Sequence, residues 1–257
     1  MKFLQSLSAQ VSLFTQGAIL ALGVVFILLD VITESLNPVI DLAWVTVLVC
    51  GLPLLINSVQ SIWERLEIHA NFLIVVAMVA LISNGDYHTA AYVGLIVQAG
   101  FFLEQLITGE SHYTVDDDML PTMPAQLVAM RQGINNYSSV IVVVVLLLSM
   151  GSFALTQDFI HTVTLLLVLC PCSLELILVA LMMGSLVDDA SPVSELSKGT
   201  KQSHLGLLIV SIVFHVAIIC VGVLGLIDPV TAVALHGLAR LGLVYNLKVL
   251  NGSLCVA

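Results

Sequence analysis

Charged residues are scarce in this chain, and the basic ones are the scarcest. Charged side chains make up 9% of the 257 residues, and seven Lys and Arg face 17 Asp and Glu, for a net charge of −10. Such a sequence has no basic patches of the kind that bind nucleic acid. The five cysteines lie mostly within apolar segments, which argues against the disulfide framework of a small secreted protein.

Apolar residues take the place of the missing charges. They account for 59% of the sequence, and the mean hydropathy is +1.11. Segments of about 20 apolar residues, long enough to cross a ~30 Å hydrocarbon core, fall near 11–33, 42–60, 68–84, 88–108, 138–157, 161–184, 205–226 and 229–250. The sequence therefore predicts an all-α integral membrane protein with eight transmembrane helices in contact with the lipid bilayer.

The few basic residues also predict an orientation. When eight helices are threaded in order, six of the seven basic residues fall on one side, and the other side holds acidic residues only. The positive-inside rule places both termini in the cytoplasm of a multi-pass protein of the cell (inner) membrane. The longest loops, about 108–136 and 185–203, lie on that side. Both are too short to fold alone, so residues 1–257 are expected to form a single transmembrane domain.

The most distinctive motif is Cys170-Pro171-Cys172, which interrupts an apolar run. Pro171 has no N–H, so the carbonyl of Leu167 loses its helical partner and the helix loosens there. A loosened turn lets both sulfur atoms face one point, and soft thiolates select copper(I) and zinc. The motif predicts an intramembrane metal site. The alternative is that both cysteines pack as small apolar side chains.

Several segments together resemble the membrane domain of the heavy-metal-transporting P-type ATPases, the copper, zinc and cobalt pumps. The resemblance is carried, in order, by Asn71-Phe72-Leu73, Gly85-Asp86-Tyr87 with Ala90-Ala91, the Cys-Pro-Cys motif and Asn246-Leu247-Lys248. It covers nearly all of the predicted membrane segments. It implies the family's layout of two leading helices followed by six core helices.

The catalytic parts of that family are missing from the sequence. The pumps carry a phosphorylated aspartate in a DKTGT motif, which this sequence does not contain. Phosphoryl transfer needs positioned phosphate, metal and carboxylate groups, and the two loops offer no room for nucleotide-binding, phosphorylation or actuator domains. We therefore expect no ATPase activity and no nucleotide cofactor.

Two histidines are further candidate metal ligands. His236 lies ten residues before Asn246, where the resembling pumps carry a metal-site residue, and it falls at a depth similar to that of Cys170 and Cys172. His215 also lies near mid-membrane. Because neutral imidazole binds zinc and copper, the expected ion is copper or zinc in preference to cobalt. The alternative for both histidines is ordinary helix packing.

Three ionisable residues complete the set of candidates. Glu175 and Arg240 lie about 14 and about 11 residues from the outer ends of their helices, a depth difference of ~5 Å, so we expect them to form an intramembrane charge pair. Arg240 either replaces the family's built-in cation or occupies the space of the transported ion. Phe101 stands where the family has its entry glutamate. Glu104 aligns with a second family glutamate and is either an entry residue or a carboxylate that reaches water.

These features predict a non-catalytic relative of the heavy-metal pumps that acts as a structural or accessory subunit of a larger membrane complex. Other membrane subunits would be its partners, and it could retain a soft-metal site. The alternative is a copper, zinc or cobalt binding or transport module driven by a partner or by the gradient. A shortened form of a pump is a third interpretation, which the charges of the loops disfavour.

Overall fold

The structure is a computed structural model that describes residues 13–34, 42–65, 71–108, 125–170 and 196–254. All regular structure in these ranges is helical, which confirms the predicted all-helical class. The described helices are α1 Leu13–Glu34, α2 Ala43–Arg65, α3 Asn71–Ser83, α4 Tyr87–Thr108, α5 Ala125–Thr156, α6 Phe159–Val168, α7 Leu196–Val223 and α8 Pro229–Leu254.

Four of these helices are long and apolar enough to cross a membrane. Their apolar stretches are Phe14–Ile32, Ala43–Gln60, Tyr87–Ile107 and Tyr137–Thr156. The other four described helices carry shorter apolar stretches, of 10–17 residues. This set of helices is compatible with a multi-pass membrane protein in contact with lipid, while the count of eight spans stays a prediction.

Two helices begin earlier than hydropathy predicts. Helix α5 begins at Ala125 and α7 at Leu196, so parts of the predicted loops 108–136 and 185–203 are helical. Hydropathy marks only the portion of a helix suited to hydrocarbon. A helix continues beyond that portion where polar residues with good helix propensity, such as Gln126 and Arg131, follow one another.

Three short turns join consecutive helices at one end of the bundle, which we call the acidic end: residues 84–86, 157–158 and 224–228. Each turn ends in an aspartate that accepts a hydrogen bond from the backbone N–H three residues later. The pairs are Asp86 with Thr89 (3.2 Å), Asp158 with His161 (3.1 Å) and Asp228 with Thr231 (3.4 Å). These carboxylates cap α4, α6 and α8, and a negative charge also suits a helix N-terminus.

Glycines close two of the preceding helices. Gly85 after α3 and Gly225 after α7 have φ of +82° and +69°, a conformation that costs glycine little. The next N–H then turns back to the helix: Asp86 N donates to Leu81 O at 3.0 Å and Leu226 N donates to Val221 O at 3.2 Å. A glycine followed by an aspartate thus ends one helix and starts the next within a few residues.

Helix α4 lies at the centre of the bundle and contacts α1, α2, α3 and α8. The short helices α3 and α6 supply much of the core, including the fully buried Leu73, Leu81 and Val163. Helix α1 is peripheral, since only 11% of its apolar stretch is buried. Its exposed leucines and valines therefore suit contact with lipid.

Small residues let three of these helices approach closely. A methyl group added at Gly23 of α1 would lie 2.8 Å from the Cys50 sulfur of α2 and 2.9 Å from Leu95 of α4. Between membrane helices, where lipid competes equally for apolar contact, close backbone approach is a main source of association. Gly23 therefore allows α1 to pack closely against α2 and α4.

Candidate intramembrane polar site

Two polar side chains lie one turn apart on the inward face of α8. His236 and Arg240 are four residues apart, so they share a face of the helix. Helix α8 packs against α4, α6 and α7. His236 is 6% exposed, and the Arg240 side chain is 23% exposed. Most of the surface of each side chain is therefore covered by neighbouring residues of the protein.

Arg240 is held by two residues of α4. Its Nη2 lies 2.9 Å from Glu104 Oε2. Its Cζ lies 5.1 Å from the centroid of the Phe101 ring, within the range of a cation–π contact. Phe101 and Glu104 are three residues apart on α4, so ring and carboxylate meet the guanidinium together. We call Arg240, Glu104 and Phe101 the α4–α8 clasp.

The clasp gives Arg240 a partner that the sequence analysis did not assign to it. The predicted partner, Glu175, lies outside the described residues, so that pair stays a prediction. Depth counts placed Glu104 near the surface and Arg240 further inside, yet their side chains meet. A long arginine side chain can reach well beyond its own backbone position, and tilted helices change depth relative to one another.

The two candidate histidines are brought together. The ring centroids of His215 on α7 and His236 on α8 lie 4.8 Å apart, with the planes at 67°. Both residues are 6% exposed. Both ring nitrogens of His236 are buried without a hydrogen-bond partner, and so is Nε of Arg240. A buried imidazole with neither nitrogen bonded is unfavourable, because each has lost its water.

The cysteine motif is described only in part. Cys170 is 4% exposed and lies in the apolar core with Leu167 and Val233. Cys50 and Cys220 are free thiols. The metal-ligand role expected of Cys170 therefore stays a prediction. Cys172 lies outside the described residues.

The predicted metal ligands do not form a complete site in the described part of the chain. Across residues 13–34, 42–65, 71–108, 125–170 and 196–254, no group of three or more His, Cys, Asp or Glu side chains is placed to hold a metal ion. His215 and His236 meet as a pair. Cys170 does not join them in a three-ligand set.

A second polar contact between helices, at the acidic end, was missed from the sequence. Asp30 of α1, 8% exposed, lies with Oδ2 3.2 Å from Nδ1 of His88 on α4. Its Oδ1 accepts a hydrogen bond from Leu42 N at 2.9 Å. We call Asp30 and His88 the α1–α4 contact. A lone carboxylate inside the apolar segment 11–33 was the available signal, since such a residue normally has a partner.

Comparison of the chain with protein-family models, with curated proteins and with solved structures gives no match. The resemblance to heavy-metal pumps therefore rests on the sequence motifs alone.

Proposed function

We propose that this chain is a non-catalytic relative of the heavy-metal P-type ATPases that serves as a structural or accessory subunit of a larger membrane complex. It would span the cell membrane eight times, with both termini in the cytoplasm. Lipid and other membrane subunits would be its partners, and ATP would not be a substrate. The lack of a DKTGT motif in the sequence supports the last point.

The α4–α8 clasp is the observation that carries the proposal. In the resembling pumps an entry glutamate attracts the metal ion, whereas here Phe101 stands at that position beneath a guanidinium. Arg240 and Glu104 lie 2.9 Å apart, so the carboxylate that could attract an ion is already neutralised. The residues thus favour holding helices together over passing an ion.

The direct test is purification from the native membrane under mild conditions. The chain would carry a C-terminal peptide tag and be extracted in digitonin, and an untagged strain would serve as the background. We expect one or more membrane proteins to co-purify in constant ratio through a second, size-based separation. If the chain emerges alone after cross-linking in intact membranes as well, the subunit role is wrong.

An ATPase assay belongs to the same preparation. Protein incubated with ATP, magnesium and copper, zinc or cobalt should form no phosphoenzyme, since no acceptor motif is present in the sequence. A metal-dependent, acid-stable phosphoprotein formed by the tagged chain would contradict the non-catalytic assignment.

The alternative is a copper, zinc or cobalt binding or transport module. His236 favours it, because both of its ring nitrogens are buried without a hydrogen-bond partner and imidazole nitrogen binds these metals. Metal uptake into vesicles would be compared between wild type and Cys170→Ser/Cys172→Ser after reduction. Uptake that depends on the cysteines would favour transport over the structural role, and uptake equal to that of empty vesicles would count against it.

A further inference from the structure

An apolar groove lies between α1 and α4, and we call it the α1–α4 groove. It is lined by three residues of α1 and one residue of α4: Phe14, Gly17, Ala18 and Phe102. It is open to the outside of the bundle, and its volume is about 580 Å³. Sites of about 300–1,000 Å³ commonly hold small molecules. The groove is therefore large enough for a ligand, and its apolar lining selects an apolar group.

The sequence of α1 builds one side of the groove. Phe14, Gly17 and Ala18 follow one another at spacings of three and four residues, so they share one side of the helix. A methyl group added at Gly17 would lie 3.1 Å from Cε2 of the Phe102 ring, so the backbone of α1 lies close to that ring. Phe14 is 85% exposed. The bundle itself thus covers little of the Phe14 ring, and an apolar ligand in the groove would cover more of it.

The groove lies where the apolar part of α1 begins, at the end of the bundle opposite to the acidic end. Thr15 and Gln16 are the last polar residues before an unbroken apolar run at 17–29. The α1–α4 contact marks the other end of the same helix pair. Its Asp30 is thirteen residues from Gly17, or about 20 Å along α1. The groove therefore lies near one boundary of the hydrocarbon core, at the level where an acyl chain starts.

The groove continues into the exposed side of α1, which suits contact with lipid. After Ala18, residues at spacings of three and four form a stripe on the same face: Leu22, Val25 and Leu29, which are 50%, 49% and 41% exposed. From Ala18 to Leu29 the stripe is roughly 16 Å long. That length is about half of a ~30 Å hydrocarbon core, which is the share that one leaflet contributes. Groove and stripe together match the path of one acyl chain.

We propose that the α1–α4 groove holds one acyl chain of a resident phospholipid, whose far end follows the stripe along α1. A chain in the groove contacts both α1 and α4, whereas a chain on the convex surface of one helix contacts that helix alone. The groove therefore offers more dispersion contacts, which favour retention of the lipid over exchange. The proposal rests on the contact of α1 with lipid and needs no partner subunit, so it can fail while the subunit role stands.

The test is photo-cross-linking of the purified chain in phosphatidylcholine vesicles. A small fraction of the phosphatidylcholine would carry a diazirine in the upper half of one acyl chain. One sample would be irradiated in vesicles and a second after extraction into detergent and size-based separation, and adducts would be mapped by mass spectrometry. Tyr137 and Val140 of α5, 71% and 61% exposed at the same end of the bundle, report lipid that exchanges freely. After extraction, adducts at Phe14 and Phe102 should persist, while those on α5 fall to background.

Two variants of α1 separate the groove from the rest of the helix surface. Ala18→Leu adds three carbon atoms to the lining and should lose most of the adducts that survive extraction. Ala21→Leu makes the same change at an exposed residue outside the lining, and should keep them. Thermal unfolding of both variants checks that neither change disturbs the fold.

Three results would overturn the proposal. The first is loss of the groove adducts on extraction together with those on α5. The second is retention of the groove adducts in Ala18→Leu. The third is a lack of groove adducts even in vesicles, which would mean that another protein segment covers the groove.

Discussion

Helix α4 contacts a different helix through polar side chains near each of its ends, and the two contacts are built differently. Near its start, His88 meets Asp30 of α1 at 3.2 Å. Near its end, Glu104 meets Arg240 of α8 at 2.9 Å. The two α4 residues are sixteen apart, about 24 Å along the helix. The helix is therefore fixed at two levels by two unrelated arrangements.

The difference lies in how each partner is satisfied. In the α1–α4 contact the carboxylate is 10% exposed and also binds the Leu42 N–H, while half of the His88 side chain is exposed. In the α4–α8 clasp both side chains are shielded to a similar extent, 23% and 20% exposed. Asp30 therefore has support besides His88. The clasp is shielded on both of its sides, whereas the α1–α4 contact is shielded on the Asp30 side alone.

The largest effect is expected from breaking the α4–α8 clasp on one side. Glu104→Leu leaves the Arg240 guanidinium without its carboxylate partner, which should lower the free energy of unfolding by about 2.5–3.5 kcal/mol. Arg240→Leu is the second single variant of the cycle. The double Leu variant should recover much of that loss, because no charge remains unpaired. Unfolding in detergent of the four proteins of this cycle measures the coupling.

A further double-mutant cycle tests whether Glu175 also pairs with Arg240. A second cycle with Glu175→Leu and Arg240→Leu tests the pair predicted from depth counting. Coupling confined to Glu104 would assign Arg240 to the clasp alone, whereas coupling in both cycles would make it the centre of a three-charge group. Strictly additive losses for Glu104 and Arg240 would contradict the clasp.

The α1–α4 contact should respond unequally to loss of its two partners. Asp30→Leu removes the acceptor of the Leu42 N–H as well as the partner of His88, so we expect a loss of about 1–3 kcal/mol. His88→Gln removes only a half-exposed partner, and its cost should stay below about 1 kcal/mol. Chemical unfolding of both variants measures the ratio. Equal losses would show that the two contacts of α4 are alike after all.

A smaller effect isolates the aromatic part of the clasp. Phe101→Leu keeps an apolar side chain but removes the ring beneath Arg240, and the coupling between ring and guanidinium should be about 0.5–1 kcal/mol. That coupling should vanish in the Arg240→Leu background. Phe102→Leu, the next residue on α4, is the matched control and should show no coupling to Arg240. If Phe101→Leu lowers the free energy of unfolding equally with and without Arg240, the ring does not contribute to the clasp through a cation–π contact.

The sequence predicted the elements of this fold better than their partnerships. Apolar runs and their lengths located the helices. The starts of α5 and α7 were misplaced, because hydropathy does not detect a helix that continues beyond its apolar stretch. Features that depend on consecutive residues, such as apolar helices, can therefore be predicted from the sequence of a membrane protein.

Partnerships were harder because depth is only one of three coordinates. Counting residues from the outer end of α8 gave the membrane depth of the Arg240 backbone. It gave neither the direction of the Arg240 side chain nor the tilt of α4. His215 and His236 were each singled out, yet only packing of α7 on α8 shows that they meet. The Asp30 contact was overlooked because Asp30 lies within the apolar segment 11–33, which was interpreted only as a membrane helix.

The smallest predicted effect concerns the contribution of the Asp228 charge to the stability of the acidic end. The Thr231 hydroxyl and backbone N–H both donate to the Asp228 carboxylate, and the hydroxyl bond is the main reason that the pKa of Asp228 lies below its ordinary value of 3.8. A lowered carboxyl pKa means that folding favours the charged form. The contribution of the charged carboxylate to stability is therefore present at neutral pH and is lost as the pH falls below about 4, through the folded-state pKa.

Asp228→Asn should cost about 0.3–1 kcal/mol at pH 7, since asparagine still caps α8 but lacks the charge. Melting of both proteins from pH 7 down to pH 3 should show their difference shrinking towards zero. A difference that stays constant over that range would mean that the Asp228 charge contributes nothing, and that this end of the bundle is held by its hydrogen-bonded turns alone.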